Sequence, residues 1–479
     1  MRPYPRRRVS PSVEVSQSIF DGALMDVSHA SRAATALLLA AALTPPAAVA
    51  ATDVAETCDG KVATIVVPPP APGRFRTEPV TGTPGDDVIV GTAWPDTIDG
   101  AGGDDTICGL KGDDHLLGGS GRDRLFGGLD EQYEPDEGYE GDLIEPGPGN
   151  DYVDLGYDMQ SDDLDPADGP WQRWDRVSYL NSVGAVTVDL EAGTAKGEGT
   201  DTIAYGAGIV GSAHDDVLLG SDKHDWIAAG GGDDLVDARG GNDAVKTDLD
   251  GTSGDVTAPG DDVVVGGPGG DEIVAGHGSD RVFAGLGRDQ VSLDEAAGSR
   301  VSGGAGVDFI RAGGRALIEG GRGADKLSPR IGSRADRVRA AGGAGRDTLA
   351  IELSLEVAPH ESHLVVGSPT GTVRVPGSPA LVHFVSLEEF APAGIAVTLD
   401  ITWYGTSGSD DLDLGWIEGR VRAFGRGGND WLRGGSGSDH LDGGPGRDRL
   451  EGGSGDDVCL RGERLRSCEL RRSGSVSRS

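Results

Sequence analysis

A run of five consecutive nine-residue units, from Gly82 to Phe126, constrains this chain more than any other feature. The units read GTPGDDVIV, GTAWPDTID, GAGGDDTIC, GLKGDDHLL and GGSGRDRLF, with no slippage. Asp holds the sixth place of each unit (Asp87, Asp96, Asp105, Asp114, Asp123), and an aliphatic residue holds the eighth (Ile89, Ile98, Ile107, Leu116, Leu125). The phase returns over 211–246 with Asp216, Asp225, Asp234 and Asp243, and over 257–292 with Asp262, Asp271, Asp280 and Asp289. It returns again over 425–460 with Asp430, Asp439, Asp448 and Asp457. Single units at 146–154, 303–311, 320–328, 331–339, 342–350 and 405–413 add Asp151, Asp308, Asp325, Asp336, Asp347 and Asp410.

The pattern has a physical reading. Gly at places one, two and four allows turn geometries closed to other residues and lets carbonyls point at one spot. Places seven to nine then extend as a short strand with one apolar side chain inward. Two units make one turn of a flattened helix, so each unit stacks on the second unit along. Stacked strands lie about 4.8 Å apart, so the sixth-place carboxylates form ladders at that spacing. Two such charges repel by roughly 3–4 kcal/mol at an effective dielectric of ~20. A cation between successive turns removes the repulsion and couples metal binding to folding. Carboxylates and turned-in carbonyls are hard oxygen donors, which select calcium over zinc or copper. Counting paired units within the runs gives about nine strong sites. Asp105 sits mid-run, whereas Asp151 stands in a lone unit and is expected to contribute less.

The unit resembles the RTX, or haemolysin-type, calcium-binding repeat G-G-x-G-x-D-x-U-x. Some copies depart from it: Trp94-Pro95 replaces the usual Gly turn of the second unit. The resemblance implies an all-β fold, a parallel β-roll (a β-helix-like solenoid) of calcium-binding nonapeptides with short β-rich inserts. It also implies Ca2+ as cofactor, in multiple copies held by the sixth-place Asp residues named above.

Composition narrows the function. The chain of 479 residues carries 79 Asp and Glu against 42 Lys and Arg, a formal charge of −37, so it would repel nucleic acid. Its 81 Gly do not recur every third residue, which excludes collagen. The short apolar run Ala33–Leu43 followed by Ala48-Val49-Ala50 reads as a secretory signal peptide over 1–50, with Met25 the expected true start. No later apolar run reaches membrane length, so the mature chain is expected to be extracellular with no membrane span. Four Cys in a chain bound for an oxidising compartment allow three pairings. Cys58–Cys108 and Cys459–Cys468 are the two expected pairings, and the spacing and lack of nearby His disfavour zinc.

The expected organisation is an N-terminal strand and Pro-rich linker over 51–81, a first repeat block over 82–128, and an acidic loop with a β-rich insert over 129–210. A central block follows over 211–350, then a β-rich insert over 351–404, a C-terminal block over 405–469 and a disordered tail over 470–479. No catalytic motif stands out. His360-Glu361-Ser362-His363 is one residue short of H-E-x-x-H, no G-x-S-x-G is present, and Gly206–Gly211 fits G-x-G-x-x-G only as Gly-rich chance. The expected role is a secreted calcium-binding protein and not an enzyme. The alternatives are a calcium-stiffened adhesin or matrix protein with an extracellular partner of unknown identity, and a hydrolase hidden in one insert.

Overall fold

The computed structural model describes residues 56–70, 78–129, 141–156, 174–206, 208–248, 259–293, 297–331, 336–353, 363–367, 372–374, 382–385, 389–390, 400–405, 407–415 and 417–468. The signal-peptide reading, most of the acidic loop, the His360–Glu361–Ser362 stretch and the tail lie outside them.

Each unit bends at its Gly-rich half and extends at its last three places, so the regular elements of the described residues are short β-strands. The strands fall alternately into two parallel ladders. Val88–Val90, Thr106–Leu110 and Arg124–Gly128 lie in one, with Ile89 opposite Ile107 and Ile107 opposite Leu125. Thr97–Asp99, His115–Leu117 and Leu143–Glu145 lie in the other, with Ile98 opposite Leu116. Each unit therefore stacks on the second unit along, the arrangement of a parallel β-solenoid.

The core follows from the same register. Eighth-place side chains from both ladders point inward, and Ile89, Ile98, Ile107, Leu116 and Leu125 are fully buried. Their stack continues as a single apolar cluster through Leu218, Ile273, Ile318 and Leu432 to Leu450.

The segments without the nine-residue phase are turns of this same solenoid. Val153 pairs with Leu125 and then with Ile203, while Val177 pairs with Ile144 and then with Ile209. Thr194–Lys196 adds an antiparallel excursion between Thr187–Asp189 and Thr200–Ala204. The stretch 351–404 behaves alike: Val338 pairs with Val382, Leu349 with Phe390 and Ile401 with Val421, and Thr372–Arg374 is again antiparallel to its neighbours. A parallel ladder needs only a strand and a return path, so return loops of unequal length are tolerated.

Both expected disulfides form. Cys58–Cys108 fastens the Thr57–Val62 hairpin to an early rung, and Cys459–Cys468 closes the last turns. The first spans 50 residues, a loop whose closure is worth about 4 kcal/mol in chain entropy. Among the described residues no helix is long and apolar enough to cross a membrane.

The core column predicts a sharp contrast. Ile107→Ala should destabilise the folded chain by about 2–5 kcal/mol, whereas Val88→Ala, at a half-buried outward place, should cost under about 1 kcal/mol. Urea unfolding measures both.

Candidate metal array

The sixth-place Asp sits where the Gly loop gives way to the strand, and the stacking of turns buries it. Asp105, Asp114, Asp123, Asp243, Asp289 and Asp457 are each at most 1% exposed. The backbone fixes one carboxylate oxygen. Asp87 donates its main-chain N–H to Asp105 Oδ1, Asp105 to Asp123 and Asp123 to Asp151, each at 2.8 Å. In the second ladder Asp96 donates to Asp114 and Asp114 to Asp142, again at 2.8 Å. The central and C-terminal turns repeat this: Asp216 to Asp234, Asp225 to Asp243, Asp243 to Asp271, Asp271 to Asp289, Asp308 to Asp325, Asp325 to Asp347, Asp410 to Asp430 and Asp439 to Asp457.

The other oxygen is left over. Oδ2 of Asp105, Asp123, Asp151, Asp234, Asp243, Asp262, Asp271, Asp289, Asp308, Asp325, Asp430, Asp448 and Asp457 is buried and accepts no hydrogen bond. A buried carboxylate oxygen without a partner costs several kcal/mol unless something positive meets it.

Loop geometry separates these carboxylates from the rest. Where Oδ2 is open, the described second-place residue lies in the left-handed region: Gly119 (φ 91°) before Asp123, Gly230 (φ 103°) before Asp234, Gly444 (φ 88°) before Asp448. Even non-glycines comply, namely Ala101 (φ 74°), Arg239 (φ 66°) and Arg426 (φ 71°). That turn directs the second-place N–H away from the carboxylate. Gly435 is not left-handed, and its N–H reaches Asp439 Oδ2 at 2.8 Å; Gly276 is not left-handed either, but its N–H goes to Thr247 Oγ1 at 3.2 Å.

The space beside Oδ2 is walled by oxygen. A Cβ added at Gly100 would stand 2.5 Å from Asp105 Oδ2 and 2.6 Å from the Gly118 carbonyl oxygen of the next turn. At Gly320 the same point lies 2.5 Å from Asp325 Oδ2 and 2.6 Å from the Gly342 carbonyl. Among the described residues no three His, Cys, Asp or Glu side chains converge as a cage. Carboxylate and main-chain oxygens from adjacent turns fit calcium, which takes mixed oxygen ligands, and do not fit a zinc site.

Electrostatics agree. Burial, reinforced by neighbouring carboxylates, raises the Asp105 and Asp123 carboxyls to about 6, Asp151 to about 7, and Asp234 and Asp243 to about 8. Asp87 moves the opposite way, because the Thr83 main-chain N–H holds its carboxylate in the charged form.

The array differs from the sequence pattern in three respects. Asp151 is not isolated: it accepts from Asp123 and donates to Asp201 Oδ1 at 3.0 Å, so a 28-residue step replaces the 18-residue one without breaking the ladder. Asp336 is half-buried and stacks on Gly314, whose carbonyl accepts the Arg337 N–H, so no carboxylate lies one turn below it. Asp142, Asp175 and Asp201 occupy ladder positions that the nine-residue phase misses. Their surviving signal is the triplet Asp-x-aliphatic, in Asp142-Leu-Ile144, Asp175-Arg-Val177 and Asp201-Thr-Ile203. Two histidines of the repeat turns hold neighbouring turns: His115 Nε2 meets Glu145 at 2.8 Å, and His224 Nδ1 accepts the Asn242 N–H at 2.6 Å. Gly208–Val210 is a strand, so the G-x-G-x-x-G match opens no helix.

Residues 81–116, 109–131, 210–245, 256–291 and 424–459 match a family model described as the RTX calcium-binding nonapeptide repeat (4 copies). No curated protein matches the chain.

Two outcomes follow from the ladder. Asp105→Ala and Asp151→Ala should weaken calcium binding to similar extents, each losing one bound ion, as counted by native mass spectrometry. The raised carboxyls make the metal-free fold bind more protons than the unfolded chain, so its stability falls as pH rises from about 4 to about 8. In chelator, circular dichroism should therefore show more β-structure at about pH 5 than at about pH 8.

Proposed function

As a protein of RTX calcium-binding nonapeptide repeats on a parallel β-solenoid, this chain, we propose, is a secreted structural protein whose roll is completed by nine or more calcium ions seated between successive turns. The supporting observation is the column of buried Asp Oδ2 atoms that accept no hydrogen bond, with main-chain oxygen of the next turn beside them, as at Asp105, Asp308 and Asp325. Calcium supplies the positive charge there. The chain's own residues do the rest: the Gly loop aims its carbonyls, the main-chain N–H of the preceding turn orients the carboxylate, and the aliphatic column excludes water.

On this reading the protein has no catalytic role. The described non-repeat segments supply rungs of the solenoid. Extracellular calcium in the range of 10⁻⁴–10⁻³ M is enough for sites of this class, so folding would wait until export.

The mature chain should be largely unstructured in chelator at neutral pH and gain β-signal cooperatively at millimolar calcium, with magnesium a poor substitute. A circular-dichroism titration that shows no calcium response would overturn the proposal.

A further inference from the structure

The carboxylates of the array are not equivalent. In the first full turn of the first block, Thr83 N–H and Oγ bond Asp87 Oδ2 at 2.6 and 2.8 Å, and Thr92 N–H and Oγ bond Asp96 Oδ2 at 2.7 and 2.8 Å. In the first full turn of the central block, Ser212 and Ser221 each give Oδ2 of Asp216 and Asp225 their N–H at 2.5 Å; the Ser221 hydroxyl adds a bond to Asp225 Oδ2 at 3.0 Å, and the Ser212 hydroxyl one to Asp216 Oδ1 at 2.9 Å. None of these four second-place residues is left-handed, unlike those of the open sites.

Their positions share a feature. The rung below each lacks the Gly loop. Val88–Val90 stacks on Ile65–Val66, Thr97–Asp99 on Val80–Thr81, Val217–Ser221 on Thr187–Asp189, and Trp226–Ala228 on Gly208–Val210. The next turn still brings main-chain oxygen beside these carboxylates, as at the open sites: a Cβ added at Gly220 would stand 2.5 Å from the Ala238 carbonyl oxygen and 2.7 Å from Asp225 Oδ2, so the N–H and hydroxyl closure is what sets them apart. Among all the nine-residue units, Ser or Thr occupies the second place only at 83, 92, 212, 221 and 406, and each of these opens a block. Thr406 lies outside the described residues.

We infer that Thr83, Thr92, Ser212 and Ser221 are metal-free caps: their N–H and hydroxyl groups stand where calcium acts in later turns, so Asp87, Asp96, Asp216 and Asp225 hold no ion. In the first and central blocks a Ser or Thr at the second place thereby marks where the calcium array begins. This rests on the calcium reading above.

Equilibrium dialysis of the full mature chain against radioactive calcium tests it. Asp87→Asn and Asp216→Asn should keep the wild-type number of bound ions, while Asp105→Asn and Asp234→Asn should each lose one. Loss of an ion in Asp87→Asn or Asp216→Asn, with a wild-type chain that binds calcium, overturns the caps alone. A wild-type chain that binds none overturns the calcium reading and the caps with it. Thr83→Val keeps the side-chain shape and removes the hydroxyl. It should leave the ion count unchanged and raise the unfolding equilibrium constant about fivefold at saturating calcium. An unchanged constant, or a lost ion, counts against the cap.

Discussion

One hydrogen bond organises this protein: the main-chain N–H of one sixth-place residue to the carboxylate one turn later. It sets the registration of turns, because the carboxylate can accept only if the strands stack in phase. It also creates the central liability of the fold. Using Oδ1 for registration buries the whole carboxylate, and Oδ2 then faces carbonyl oxygen with nothing to neutralise it. Desolvation and like charge both act against ionisation, and the carboxyls rise accordingly. The bond that aligns the solenoid therefore generates the demand for a cation.

The loop conformation decides how that demand is met. A left-handed second residue turns its N–H out and leaves Oδ2 open, at a steric cost of about 1–2 kcal/mol when the residue is not Gly. Ala101, Leu110, Arg239 and Arg426 carry that cost in the described turns. Among the described loops, four take the other conformation and close Asp Oδ2 with a main-chain N–H accompanied by a side-chain hydroxyl bond, at Thr83, Thr92, Ser212 and Ser221. Gly435 shows that the conformation, more than the hydroxyl, is the switch, since it closes Asp439 with its N–H alone.

Much of this was legible in the sequence. The eighth-place residues from Ile89 to Leu450 were recognisable as core, the period of two units per turn as the stacking rule, and both disulfide pairs were expected. What escaped were the rungs between blocks. A rung needs only an inward aliphatic residue and an Asp two places before it, as at Asp142 and Ile144, whereas the full motif also requires Gly at places that depend on the return loop. Once the loop lengthens, those glycines lose their purpose and the periodic signal vanishes, although the ladder continues. Asp336 is the converse: its unit keeps Asp-x-Val, but the position below it is Gly314, and only the three-dimensional stack reveals that.

The same contrast explains where the scarce large side chains went. Where the loops are long and the Gly cradle is missing, Tyr179, Val186, Val188 and Ile203 are buried in the core, and Trp174 and Trp226 form a second cluster with Val210. Tyr179 also gives its hydroxyl to Asp201 Oδ2 at 3.0 Å, closing that carboxylate without a metal. Between blocks, apolar burial and the antiparallel excursion Thr194–Lys196 do what oxygen-lined ion sites are proposed to do within them. A continuous ladder can thus run through alternating kinds of cohesion. Calcium depletion should act first on the blocks and leave the segment around Tyr179 as the place where native contacts persist.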